Sequence, residues 1–372
     1  MLKVVNRMKK VLILGLGSAQ LDAALYCKNH GMEVHSCALD DSASKNKVDY
    51  FSLIDIADVD RIFEYTKKEQ IDLVYSVGSD MAIPTAAYVS QKLNLPYFLG
   101  YEHALICRDK AAVRRALGND FAGNIPFMAV ESKQEAIHWN IFPCMLKPVD
   151  SQGQKGIFLI SHKKDIDQAI DKALEDSKSG KVIIEEYIDG PEISANVYMV
   201  NGKVAFLQTT DRIVFEQYPG IVKAHSIPSR VTDKNIEAKV FDLVQYTTNI
   251  LKINNGPAYF QMKLKGKEPK LIEVTPRLDG CHLWHLIKEY CGVDLIEAAF
   301  RHLLNQKIDF SRESATRNLT LEFITDKPEV VVDKAKYSVG KNLDICWGYE
   351  DGEIVRKVNG FAERIGYYIA PT

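Results

Sequence analysis

The strongest constraint on the fold is the rhythm of roughly the first hundred residues, where short unbroken apolar runs alternate with amphipathic stretches. "KVLILGLG" is followed by "SAQLDAALYCKNHG", then "EVHSCALD", "DVDRIFEYTKKEQ" and "IDLVYSVGSD". A strand buried on one face alternates in polarity, whereas these runs are apolar throughout, as strands covered by helices on both faces must be. A doubly wound α/β unit with a parallel sheet follows, with Gly31 closing the first helix and Leu95 to Leu99 as a further strand.

The start, "MLKVVNRMKKVLILGLG", sets basic residues before an apolar run, but Val11 to Leu14 is too short for a signal peptide. Met8 is an alternative first residue. No window approaches the ~20 apolar residues of a spanning helix. With 47 basic against 49 acidic residues, a net charge of -2 and no block of like charge, neither a nucleic-acid track nor a membrane-binding surface is expected. The expected partners are small molecules. Seven cysteines lie scattered without a CxxC pair, which fits reduced, buried thiols and a cytoplasmic protein.

At 372 residues the chain is long enough for two or three cores. The first rhythm breaks near residue 105, giving a Rossmann-like unit over 1–105. An α+β lid follows over 106–184, with strands in "IPFMAV", "FPCMLKPVDS" and "KGIFLISH" and helices in "SKQEAIHWN" and "DIDQAIDKALEDS". A strand-rich core over 185–310 contains the Asn201-Gly202 hairpin signal, a helix over Lys234 to Lys252, a second hairpin turning near Gly266, and a helix over Asp294 to Leu304. The remainder, 311–372, is a small β-rich element packed on that core.

The loop "GLGSAQ" places Gly15 and Gly17 as a dinucleotide loop would, with Asp40 ending the second strand. Gln20 stands where the third glycine belongs, so a tight strand-to-helix turn explains the loop better than an NAD-dependent dehydrogenase does.

Three later stretches each carry part of a nucleotide site. In "LKPVDSQGQKGI", Lys147 leaves a buried strand ahead of a loop with Ser151, Gly153 and Gly156, whose backbone amides suit phosphates. In "IIEEYIDGPEI", backbone groups of an extended segment can meet an adenine edge, and Glu192 can take ribose hydroxyls. In "FQMKLKGKEPKLIEVTPR", Gln261 and Glu273 lie on opposite arms of a hairpin, where two oxygen donors suit Mg2+ with Mn2+ as the substitute. Arg277, always charged, can meet charge that builds during phosphoryl transfer.

In this order the three stretches resemble the ATP-grasp superfamily of carboxylate-amine ligases, which includes the carbamoyl phosphate synthase large chain, phosphoribosylglycinamide synthetase and L-amino-acid ligases. The resemblance covers roughly residues 1 to 310 and implies a Rossmann-like unit ahead of an ATP-grasp lid and core. It implies that Lys110 of "CRDKAAVRRAL", Lys147 and Lys155 meet ATP phosphates, that Glu185 lies near the adenine, and that Glu186 and Ile188 lend backbone groups. Gln261, Glu273 and Thr275 become the metal corner and Arg277 the triphosphate arginine. Two positions depart from the pattern: Gln261 replaces the commoner glutamate, and Thr275 replaces the usual asparagine, so the corner carries less charge.

The reaction so implied activates a carboxylate as an acylphosphate for attack by an amine. Alternatives are phosphorylation of a small carboxylate as in carbamoyl phosphate synthase, or nucleotide binding without turnover. Asp279 is a candidate for a substrate ammonium, Arg212 or Arg230 for a carboxylate, and a homodimer is the expected assembly. Cys281 is expected to be a buried thiol rather than a nucleophile, and "CHLWH" lacks the second ligand pair of a structural zinc site.

Overall fold

The computed structural model describes residues 7–39, 44–150, 156–313, 317–340, 342–358 and 360–372. Its first layer contains β1 (Lys10–Leu14), α1 (Ser18–Asn29), β2 (Glu33–Ala38), β3 (Tyr50–Leu53), α2 (Val59–Glu69), β4 (Leu73–Tyr75), α3 (Ala82–Lys92) and α4 (Tyr101–Arg108). The strands pair in parallel in the order β3-β2-β1-β4. Val11 to Leu14 are fully buried, as a run without polar alternation requires. Strand order reverses between β2 and β4 around β1, so the loops after β1 and β4 open the crevice where such sheets bind ligands. Residues 95–99 form no strand. Pro96 offers no amide hydrogen to a ladder, and Phe98 and Leu99 instead pack into the two larger cores as irregular chain.

The second layer runs through α5 (Lys110–Leu117), β5 (Phe127–Val130), α6 (Lys133–Ala136), β6 (Cys144–Pro148), β7 (Phe158–Ile160), α7 (Ile166–Glu175) and β8 (Val182–Glu186). Its antiparallel sheet has the order β5-β8-β6-β7. Helix α7 buries Ile166, Ala169, Ile170 and Ala173 at helical spacing against Leu146, Val182 and Ile184.

The third layer holds β9 (Glu192–Val200), β10 (Lys203–Phe215), β11 (Tyr218–Ile227), α8 (Lys234–Ile250), β12 (Gly256–Lys265), β13 (Glu268–Thr275), α9 (Leu283–Cys291), α10 (Leu295–Leu303), β14 (Leu319–Asp326), β15 (Asp344–Trp347) and β16 (Glu363–Pro371). Asn201 and Gly202 turn β9 into β10 with φ of 51° and 76°, the left-handed pair a two-residue hairpin needs. All eight strands join one antiparallel sheet, β13-β12-β9-β10-β11-β14-β16-β15. The C-terminal strands thus extend the core sheet edge to edge, because β14 pairs with β11 and leaves an edge that β16 and β15 close.

This sheet has two unlike faces. Ile193, Ala195, Val197 and Met199 point to α8, which answers with Ile236, Val240, Leu243 and Val244. Each such side chain contributes roughly 1.5–3 kcal/mol of apolar transfer. Asp233 starts α8 by accepting the Asn235 and Ile236 amides. By register, Glu192, Ser194 and Asn196 share the other face with Thr210, Arg212, His225, Tyr259, Gln261, Glu273 and Thr275. That polar face looks away from α8, and it carries the candidate site.

Candidate active site

At the join of second and third layers, Glu185 of β8 is wholly enclosed. Arg114 Nε of α5 lies 2.7 Å from its Oε1, and Lys147 Nζ of β6 lies 2.5 Å from its Oε2. Burial would raise the Glu185 pKa, but the two cations outweigh it and bring it down to about 2. Arg114 also donates to Asn124 Oδ1 at 3.2 Å and to the Ile272 carbonyl at 3.0 Å, which ties the lid to β13. Glu185 is thus the ionic anchor of Lys147. Arg114 escaped the sequence reading, although it lies four residues after Lys110 on the same helix face.

Lys110 begins α5, where Asp109 accepts the Ala112 amide, and its Nζ stands 3.6 Å from Glu273 Oε1. Glu273 and Gln261 are directly paired across β12 and β13. Gln261 Nε2 donates to Glu192 Oε2 at 3.1 Å, which leaves its amide oxygen as the atom that could meet a cation. Thr275 is buried on the same face, and its hydroxyl has no hydrogen-bond partner among the described residues. An orphaned hydroxyl beside a carboxylate and an amide oxygen is an all-oxygen donor set, which fits Mg2+. These residues therefore fit the group that the sequence implies.

Arg277 is held in a fork by Asp80, with Nε to Oδ1 at 2.6 Å and a terminal nitrogen to Oδ2 at 2.8 Å. Burial works against its charge, yet Asp80 holds the guanidinium pKa above its ordinary value. Asp80 sits on the loop after β4, at the carboxyl ends of the parallel strands, and that position was its only signal in the sequence. Asp80, Arg108, Lys110, Arg114, Asp150 and Glu273 line one cleft of about 500 Å³.

Other expected residues are placed differently. The Glu186 amide hydrogen already goes to the Pro126 carbonyl, and its carboxylate pairs with Lys265, so its backbone contribution is limited to the carbonyl. Ile188 is buried beyond β8. Glu192 does not project alone toward a ribose: Arg212 and Gln261 bind its Oε2, and Lys263 lies 3.8 Å from its Oε1. Arg212 is largely enclosed on the polar face opposite His225, whose buried Nε2 has no partner among the described residues. Burial, together with the charges of Arg212 and Arg364, pushes the His225 pKa well down and keeps the ring neutral.

Neither Arg230 nor Asp279 lines that cleft. Arg230 is exposed, and its amide is bound by Asp211, which lies in register with Ile193 on the α8 side of the sheet. The two oxygens of Asp279 accept the Cys281 and Leu283 amides and brace the turn into α9. Burial raises its pKa. Burial likewise pushes the Cys281 thiol up, so it is not a ready thiolate. Gly156 ends the loop after β6 with φ of 68°, whereas Ser151, Gly153 and Lys155, like Asp40, lie outside the described residues.

At the front loop, Gln20 Oε1 accepts the Gly17 amide at 3.0 Å and its amide nitrogen donates to the Val77 carbonyl. A side chain therefore fills the space that a third glycine keeps open for close helix packing in a dinucleotide loop. Residues 140–283, which include Lys147, the β8 anchor and the β12–β13 corner, match the family model described as the ATP-grasp domain.

This chain carries an ATP-grasp domain.

Likeness extends beyond the matched ATP-grasp segment. The chain is 27% identical over 294 residues to the formate-dependent phosphoribosylglycinamide formyltransferase of Prochlorococcus marinus, covering 76% of this chain and 73% of that one. It is 24% identical over 284 residues to the uncharacterized protein y4rH of Sinorhizobium fredii, covering 71% of this chain and just 56% of the relative. The L-amino acid ligase of Bacillus licheniformis superposes with a TM-score of 0.80 at 16% identity, over 97% of this chain and 93% of that one. At that identity the superposition establishes the ATP-grasp fold. No helix among the described residues is long and apolar enough to cross a membrane, and all seven cysteines are free thiols.

Proposed function

We propose that the protein is an ATP-dependent carboxylate-amine ligase working with Mg2+. One observation carries the reading: Lys110, Glu273 and the Asp80–Arg277 fork, from three separate parts of the chain, converge on one cleft beside an orphaned Thr275 hydroxyl. Positive side chains and oxygen donors in one crevice suit a metal-bridged triphosphate, and phosphoryl transfer needs chiefly positioning and charge neutralisation.

In this mechanism a substrate carboxylate oxygen attacks the γ-phosphorus and ADP departs, giving an acylphosphate. An amine then attacks the acyl carbon, phosphate leaves with the C–O bond electrons, and the amine loses a proton. Lys110 and Lys147 hold phosphate oxygens, with Glu185 fixing the ammonium of Lys147. Arg277 meets the charge on the transferred group, and Asp80 fixes the angle of its guanidinium. Gln261, Glu273 and Thr275 would hold Mg2+, which supplies neutralisation of phosphate charge. Glu186 and Ile188 offer backbone groups to adenine, and Arg212 is the buried cation nearest the acceptor side of the polar face. No side-chain nucleophile is needed. Formate, on which one relative depends by name, is itself a carboxylate, which agrees with a small acid as the first substrate. A cytoplasmic homodimer remains our expectation for the working form.

Release of ADP from MgATP, measured against a matrix of small carboxylic acids and amines, tests the proposal. ADP formation that requires one acid and one amine supports it. Tight MgATP binding with no ADP from any pair would leave a nucleotide-binding module.

A further inference from the structure

Among the described residues, two groups of metal-ligating side chains lie off the nucleotide corner: His225 with Asp279 and Cys281, and Asp22 with His282 and His285. The first is poorly suited to a cation, because the charges of Arg212 and Arg364 act on it. The second has no role in the proposed reaction.

Asp22 comes from α1, while His282 and His285 stand at the start of α9, about 260 residues later. Their ligating atoms lie within 4.8 Å of one another. A single oxygen, Asp22 Oδ2, is met by His282 Nδ1 at 3.0 Å, His285 Nε2 at 2.9 Å and Trp284 Nε1 at 3.1 Å. His282 adopts φ of 58°, a left-handed conformation uncommon outside glycine, to bring its ring to that oxygen.

We propose that Asp22, His282 and His285 form a site for a divalent transition-metal ion of the zinc class. Two imidazole nitrogens and one carboxylate oxygen are a borderline donor set that suits zinc, cobalt or ferrous iron over magnesium and calcium. Donors bound at ~2.1 Å sit ~3.0 Å apart at right angles and ~3.4 Å apart in a tetrahedron. The 2.9 and 3.0 Å separations, which are hydrogen bonds as they stand, lie within a few tenths of an ångström of these spacings.

The surroundings are those of ligating imidazoles. Ser18 Oγ lies 3.2 Å from His282 Nε2, the ring nitrogen that would not bind metal, and Tyr367 stacks on the same ring at 4.7 Å between centroids. Such outer partners fix tautomer and ring orientation. Trp284 orients Asp22, and the His285 side chain, 31% exposed, gives the ion a way in. Three protein donors leave coordination positions open to water or substrate. A bound ion would clamp α1 to the start of α9. Donor geometry alone carries this site, which stands apart from the ligase reading.

The test uses the tag-free, EDTA-stripped full chain, titrated calorimetrically with Zn2+ and with Co2+, followed by desalting and metal analysis. One equivalent of zinc should be retained by the wild type and equally by Glu273→Gln, with millimolar Mg2+ unable to displace it. Affinity should fall at least tenfold in Asp22→Asn and in His285→Ala, and the visible Co2+ absorption bands of the wild type should vanish in both. Asp22→Asn keeps the shape and an acceptor oxygen, so loss of metal with an unchanged circular dichroism spectrum separates ligation from folding. No retained zinc, or zinc retained equally by both variants, would overturn the proposal.

Discussion

In the proposed reaction Arg277 serves a developing charge, and a carboxylate holds it in place. Its fork with Asp80 fixes the guanidinium plane before any nucleotide arrives, and preorganised charge is worth most in the transition state. Arg277→Ala should therefore lower kcat by about 10²–10³-fold while changing the Kd for MgATP by only a few-fold. Steady-state rates beside equilibrium nucleotide binding check this, and an unchanged kcat removes Arg277 from the role. Glu185 acts differently, since it neutralises two buried cations. Glu185→Gln leaves Arg114 and Lys147 without their counter-charge and should cost about 3–5 kcal/mol, read from denaturant midpoints. Its pH dependence has a definite sign. A carboxylate lowered from an ordinary 4.5 to about 2 contributes stability in full above pH 4.5, and that contribution is lost as pH falls toward 2. Acid titration of the wild type should show this loss, and Glu185→Gln should lack it.

Among the elements, the closest functional contact is between the loop after β4 and the turn before α9. Gly78 has φ of 66°, and a Cβ there would come within 3.1 Å of Gly280 Cα and 3.3 Å of the Asp279 carbonyl oxygen. Both partners are backbone and cannot swing aside. Gly78→Ala should push the β4 loop from the Arg277–Asp279 segment, raising KM for the acceptor substrates and lowering kcat together, while Lys147 and its nucleotide contacts stay in place. Michaelis constants for each substrate in turn check this, and a selective rise in the KM for ATP would contradict it. On the opposite face of the large sheet, Leu243→Ala in α8 removes a buried side chain between helix and strands. It should cost about 2–5 kcal/mol with little change in KM, because Leu243 does not itself line the cleft.

For the whole molecule, the nucleotide of the proposed reaction would bridge all three layers, since Asp80 stands in the first, Lys110 and Lys147 in the second, and Glu273 and Arg277 in the third. MgATP should therefore stabilise the entire chain, by about 2.7 kcal/mol at a hundredfold excess over Kd. NADH should leave the melting temperature unchanged, since the Gln20 side chain fills the position of the third glycine. Thermal scans with each ligand decide between them, and stabilisation by NADH alone would reverse the assignment.

What the sequence determined by itself was local. Unbroken apolar runs marked parallel strands, Asn201-Gly202 marked a hairpin, and the two arms around Gly266 brought Gln261 opposite Glu273, because strand period and turn chemistry act over a few residues. Strand β3 escaped because it is four residues long with none buried, and helix α3 because Pro84 in its first turn reads as a breaker. Only the tertiary structure decided which charges meet. Asp80 finds Arg277 across 197 residues, Arg114 finds Glu185 across 71, and Asp22 reaches His282 across 260. No spacing rule signals such pairs, since loop closure costs little more for a long loop than for a short one. The same long-range packing turned Asp279 into a brace, tied the Arg230 amide to Asp211, and brought Asp22 to the two histidines of "CHLWH".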